Sequence, residues 1–162
     1  MSGFREQFKR PESVLVVVYT AIGEVLMLER CRPVAFWQSV TGSLEWGESA
    51  QSAAERELEE ETGLRGFQID DRLESHTFPI LPEWRSRYAP GETENLEHVF
   101  TVQLLGRVSI SLDGSEHQRH RWLTRNEAAR QASSWTNRDA ILNYVPEAGD
   151  AFGNGNSGIV LA

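Results

Sequence analysis

Apolar positions fall into runs of two kinds along this chain. Ser13 to Thr20, SVLVVVYT, is almost continuously apolar and rich in valine, the pattern of a buried strand. Ala21-Ile22-Gly23 turns the chain, and Glu24 to Leu28 reads as the hairpin partner. Phe36 to Thr41 reads as one short strand of aromatic and β-branched residues. From Ser49 the period changes. Ala50, Ala53, Ala54 and Leu58 recur at spacings of three and four, which predicts a helix over Ser49 to Thr62. Ser49 suits its N-cap, and Gly63 stands where a left-handed C-cap is wanted.

The second half alternates less cleanly. It suggests a strand near Glu74 to Phe78, then a loop punctuated by Pro79, Pro82, Pro90 and Gly91. Glu97 to Leu105 reads as a strand. Val108 to Leu112 and His120 to Leu123 read as two more, separated by the turn signal Asp113-Gly114. Thr124 can cap a short helix, Arg125 to Gln131, and Trp135 to Tyr144 reads as a last helix. Residues 1–146 form one expected domain. Residues 147–162, with Gly149, Gly153, Gly155 and Gly158, read as a flexible glycine-rich tail. Strands, a helix, strands again and terminal helices predict an α/β (α+β) arrangement, an α/β/α sandwich.

Composition changes this picture in one respect. A chain of 162 residues suits a single core. Val14 to Tyr19 is too short to span a bilayer, and the opening MSGFREQFKRPES lacks the apolar core of a signal peptide. No membrane partner and a cytoplasmic location are therefore expected. A lone Cys31, without a Cys/His pattern beside it, reads as a small, partly buried residue. Nothing in the pattern fixes an oligomeric state. The formal net charge of −8 argues against nucleic-acid polymers and anionic membranes. It also repels a phosphate substrate, unless the acidic residues are clustered to hold a divalent cation.

Such a cluster exists. Glu57, Glu60 and Glu61 stand at i, i+3 and i+4 of the predicted helix, so they project from one face within a turn. Like charges so placed destabilise a helix, and Glu61 also sits at the negative end of its dipole. A run of glutamates is usually a solvated face. Here Arg56 adjoins the cluster and can pair with Glu48 across a loop framed by Gly42 and Gly47. Carboxylates so gathered suit a hard cation such as Mg²⁺.

These residues match the Nudix box, Gly-x5-Glu-x7-Arg-Glu-U-x-Glu-Glu-x-Gly-U with U aliphatic, at every defined position: Gly42, Glu48, Arg56, Glu57, Leu58, Glu60, Glu61, Gly63 and Leu64. The chain thus resembles the Nudix hydrolases. The resemblance implies an α/β/α sandwich with a mixed sheet, in which the box forms a loop–helix–loop. It implies hydrolysis of a phosphoanhydride in a nucleoside diphosphate linked to another group. It also implies Mg²⁺ or Mn²⁺ held by Glu57, Glu60 and Glu61, with the Gly42 carbonyl as a further ligand. One of Glu57, Glu60 or Glu116 would act as general base, and Glu48 would orient Arg56 or bind metal through water. Glu116, just ahead of a predicted strand, resembles the distant carboxylate with which many members complete the site; Asp113 is its neighbouring competitor. His117 and His120 are further candidate bases, although a lone His is more often structural.

Outside the box, Lys9-Arg10-Pro11, Phe36 to Ser43, Arg87-Tyr88-Ala89-Pro90-Gly91 and Ser134 to Ile141 resemble the branch of this family that acts on dihydroneopterin triphosphate in bacterial folate synthesis. A flat heteroaromatic ring needs aromatic walls and amide groups for its edge. Phe36, Trp37, Tyr88 and Trp135 are candidate walls; Gln38 and Asn137 are candidate edge readers. Arg30, Arg32, Arg85, Arg87 and Arg138 are available for phosphates, with Arg87 and Arg138 favoured by lying in the resembling segments. The alternatives are a Nudix pyrophosphatase of nucleoside triphosphates or dinucleoside polyphosphates, and a catalytically silent Nudix-like binding module.

Overall fold

The computed structural model describes residues 3–148. The glycine-rich tail, from residue 149 on, lies outside the described residues. Strand β1, Glu12–Thr20, runs through a seven-stranded mixed sheet and is buried from Ser13 to its end. Its valine run follows from that position, because both of its faces meet helices. Val14, Val16 and Val18 pack with Ala53, Ala54 and Leu58 of helix α1, Ala50–Thr62. Leu15, Val17 and Tyr19 pack with Ala128 and Ala129 of α2, Arg125–Gln131, and with Ala140 and Ile141 of α3, Trp135–Tyr144. One helix on one face and two on the other make the α/β/α sandwich.

Along one edge β1 pairs in parallel with β6, Glu94–Leu104, which pairs antiparallel with the edge strand β5, Asp70–Pro79. Its other edge divides. The hairpin strand β2, Glu24–Arg30, registers with β1 at Tyr19 and Val25. Beyond that point the two part, and the chain from Trp37 to Ser43 fills the gap. This segment is not the single strand expected over Phe36 to Thr41. It breaks at Ser39 into β3, Trp37–Gln38, on β2, and β4, Val40–Ser43, on β1. Two diverging partners cannot both be followed by one straight strand.

Asn137 closes the break. Its side-chain oxygen accepts from the Ser39 N–H at 2.8 Å, and its Nδ2 donates to Ser39 Oγ at 2.8 Å. Both residues are fully buried. Asn137→Ala is expected to cost about 1–3 kcal/mol, the penalty for leaving a buried donor unpaired. Urea unfolding of the variant measures it.

Helix α1 has the expected ends. Ser49 Oγ accepts from Ser52 N–H, and Gly63 is left-handed with φ 76°, its N–H bonded to Glu59 O. Val108 to Leu112, expected as a strand, joins no ladder. Val108, Ile110 and Leu112 pack against the α1-side core instead, and Ser111 N–H donates to Thr62 O at the helix end. Its alternation records a segment laid over a core, which no strand edge was free to receive. Strand β7, His117–Thr124, begins earlier than expected and pairs along the outer edge of β2.

Candidate active site

The Gly42-to-Leu64 segment folds as loop–helix–loop, with the loop pinned from outside. Arg10 donates to the carbonyls of Glu45 and Glu48, and Trp46 Nε1 donates to Phe8 O. Within it Arg56 works as a fork. Its Nε and Nη2 each donate at 2.8 Å to one oxygen of Glu48, Nη2 also to Ser43 O, and Nη1 to Glu57 at 2.9 Å and Glu60 at 3.2 Å. Glu48 also accepts from its own loop, through Glu45 N–H. The fork holds the Glu48 carboxyl below the usual range.

The three box glutamates differ in setting. Glu60 is exposed, whereas Glu57 and Glu61 lie on the buried face of α1. Burial pushes the Glu57 carboxyl up to about 7, against the opposing Arg56 and with help from Glu60 and Glu116. Burial also raises Glu61, with Glu57 adding to it, although Thr41 N–H donates to its Oε2 at 3.2 Å. Two neighbouring carboxylates kept from water, without a cation for each, are what a divalent ion would relieve. Gly42 faces them from β4. A Cβ there would fall on the Glu57 carboxylate, so any other residue would displace it.

Glu116 arrives from the turn before β7. One ligand atom each from Glu61, Glu116 and His117 lie within 4.8 Å of one another. His117 is buried, and Gln38 Nε2 stands 3.1 Å from its Nε2. An amide nitrogen donates, so this ring nitrogen accepts. Burial, with Arg30 nearby, pulls its pKa down to about 4. The ring is neutral near pH 7; with its Nε2 lone pair taken by Gln38 and its proton on Nδ1, it stands beside Glu61 and Glu116 without a free lone pair for a metal.

Two adjoining cavities meet at Thr41, Gly42 and Ser43. One, of about 780 Å³, holds Arg56, Glu57, Glu60 and Glu116 together with Lys9, Arg10, Arg30, Arg32 and Arg87. The other, of about 460 Å³, is an aromatic slot walled by Phe36, Phe78, Trp84, Tyr88 and Trp135. Lys9 and Arg30 line both. Burial and the neighbouring arginines depress the Lys9 ammonium, as expected where cations gather without their anion.

Of the residues proposed to bind substrate, Arg87 lines the first cavity, and Gln38, Tyr88, Trp135 and Asn137 line the second. Two do not. Trp37 is 3% exposed and packs in the α2–α3 core, with the Arg119 and Arg121 guanidinium groups 5.6 and 5.2 Å from its ring. Arg138 lies on the exposed face of α3 and pairs with Asp139. Asn137, expected as an edge reader, has its amide committed to Ser39. Sequence reasoning missed Lys9, Trp84, Asn95 and Glu97. A faint signal for the last two was the pair of polar residues alternating into an otherwise apolar strand.

The family model of the NUDIX domain matches residues 9–144, and the chain belongs to that family. It is 41% identical over 146 residues to the dihydroneopterin triphosphate diphosphatase of Escherichia coli (strain K12), covering 87% of this chain and 96% of that protein. The Haemophilus influenzae protein of the same name is 38% identical over 144 residues, covering 86% and 90%. Among solved structures, the E. coli dihydroneopterin triphosphate pyrophosphohydrolase superposes with a TM-score of 0.79 at 41% identity, over 85% of this chain and 97% of that one. No helix among the described residues is long and apolar enough to cross a membrane.

Proposed function

We propose that this protein is a Mg²⁺- or Mn²⁺-dependent pyrophosphohydrolase of the cytoplasm that converts dihydroneopterin triphosphate to the monophosphate and pyrophosphate. The observation that carries the reading is the continuity of the two cavities: a space lined by carboxylates and cations opens directly into an aromatic slot. One is suited to a triphosphate and the other to a flat ring. The relatives at 41% and 38% identity, whose names carry this activity, support the choice of substrate.

Glu57, Glu60, Glu61 and Glu116, with the Gly42 carbonyl, are the groups that would hold the metal. When bound, a divalent ion neutralises phosphate charge and lowers the pKa of bound water. Arg56 orients Glu48, Glu57 and Glu60 through its fork. Arg87, Arg30 and Lys9 face the phosphate oxygens. One of Glu57, Glu60 or Glu116 takes the proton of the attacking water. Phosphoryl transfer asks mainly for such positioning and electrostatics.

Arg56→Lys keeps the charge and loses the fork. The variant should need more Mg²⁺ or turn over roughly 10–100-fold more slowly, as partners of metal ligands usually do; a Mg²⁺ titration of pyrophosphate release measures it. The assignment itself is tested on a substrate panel. Dihydroneopterin triphosphate should give the highest kcat/KM, and equal or better turnover of dATP or diadenosine tetraphosphate would sink it.

A further inference from the structure

We propose that Glu97, supported by Asn95, selects the ring by accepting hydrogen bonds from a ring N–H and an adjacent exocyclic NH₂. The slot would then admit bicycles with a 2-amino-4-oxopyrimidine edge, such as pterin or guanine, and disfavour 6-aminopurines. This rests on the functional reading above, since it names what the slot reads in the substrate of that same site.

Both residues lie on β6 two positions apart, so their side chains share one face of the sheet. Both line the aromatic slot, and they are only 4% and 5% exposed. Among the described residues Glu97 is the one acidic side chain lining the slot and forms no ion pair. Asn95 Nδ2 donates to Ser13 Oγ at 2.8 Å. Asn95 Oδ1 and Glu97 Oε1 are buried without any hydrogen-bond partner. Unpaired buried acceptors are costly, and a carboxylate more so than an amide. Two of them, two residues apart on one strand and lining a slot with aromatic walls, call for donors that arrive with a ligand.

Charge fixes which end of the ligand lies where. Lys9 and Arg30 stand at the mouth shared with the phosphate cavity, while Glu97 lines the slot alone. A ring whose triphosphate points to the cations therefore presents its far edge to Glu97. The 2-amino-4-oxo edge offers an N–H beside an NH₂, two donors for acceptors. The adenine edge places an unprotonated ring nitrogen next to its amino group, and that lone pair would oppose the carboxylate. Burial raises the Glu97 carboxyl, against Thr136 and His76; a donor pair from the ligand favours the ionised form.

The test compares wild-type protein and Glu97→Gln on dihydroneopterin triphosphate, GTP, ITP and ATP in saturating Mg²⁺. ITP differs from GTP only in lacking the 2-amino group, so the wild-type ratio needs no folded variant. The wild type should favour GTP over ITP and ATP by about 10- to 100-fold in kcat/KM, mostly through KM, the size expected for bonds to a charged group. Glu97→Gln, with its melting temperature checked, should lose most of that preference and weaken dihydroneopterin triphosphate likewise, while ITP and ATP change little. Equal use of GTP and ITP by the wild type, or a uniform loss on all four in the variant, would overturn the proposal. A wild type that prefers GTP to the pterin, but loses its 2-amino preference on Glu97→Gln, would support this inference and refute the pterin assignment. The reverse pattern, pterin preferred and ratios untouched by the variant, would refute the inference alone.

Discussion

Gly42→Ala is expected to lower metal-dependent pyrophosphate release by about a hundredfold or more while leaving the fold intact. The added methyl would occupy the position of the Glu57 carboxylate. Gly42 does not need glycine for its dihedrals, since it is not among the residues with positive φ. The whole effect therefore comes from the close approach. Glu57 must swing away, losing its bond from Arg56 and its place beside Glu61. Misplacement by an ångström in such a constellation costs on the order of 10²-fold. Overpacking itself costs about 1–3 kcal/mol, which a domain of this size survives. Parallel thermal melts and rate measurements separate the two effects. A variant with near-normal turnover would show that Glu57 works from another position.

The second large effect is on stability. Metal-free protein should become less stable as pH rises from about 6.5 to 8, the reverse of ordinary acid denaturation. Glu57 has its folded pKa raised to about 7 from a usual 4.5. Its protonated form is thus favoured by folding. That contribution is complete below pH 4.5 and is lost as pH climbs through 7. A shift of this size corresponds to about 3 kcal/mol. Glu61 is shifted in the same direction and adds to the slope. The lowered carboxyls, Glu12, Glu29, Glu48 and Asp113, act oppositely but only at more acid pH, and His117, pulled down from 6.5 to about 4, acts oppositely up to about pH 6.5 and no further. Melting curves in chelator from pH 6.5 to 8 should therefore fall, and the slope should flatten in Glu57→Gln. Added Mg²⁺ should raise the melting temperature most at pH 8, where the ligands are already deprotonated. A chelated protein whose stability rises across this window would contradict the account.

How much of this was legible depended on whether the signal was local. Helix α1 announced itself through Ser49, its alanine stripe and Gly63, all within one segment. The box was equally local, and even the Arg56–Glu48 pair was readable from spacing. The slot was not. Its residues come from separate stretches around Ser13, Phe36, Phe78, Trp84, Glu97 and Trp135, and no one window of sequence brings its walls together. Phe36 and Trp37 show the difficulty at its smallest scale. Neighbours in an extended segment point opposite ways, so one had to reach the slot with Gln38 and the other the core. Nothing in the order of the two aromatics says which. Asn95 and Glu97 were hidden for a related reason, since alternating polar residues normally mark the solvated face of a strand, and here they mark the floor of a hole.

The division of the sheet edge has an evolutionary consequence. The carboxylate cavity depends on β4, α1 and the turn before β7, while most of the ring slot is supplied by the β5–β6 pair, the 3₁₀ turn Pro82–Arg87 and the start of α3. Few positions serve both. Reaction and selectivity are therefore separately heritable: the connection between β5 and β6 can drift, lengthen or be exchanged, giving the same hydrolytic engine a new clientele without disturbing a single box residue.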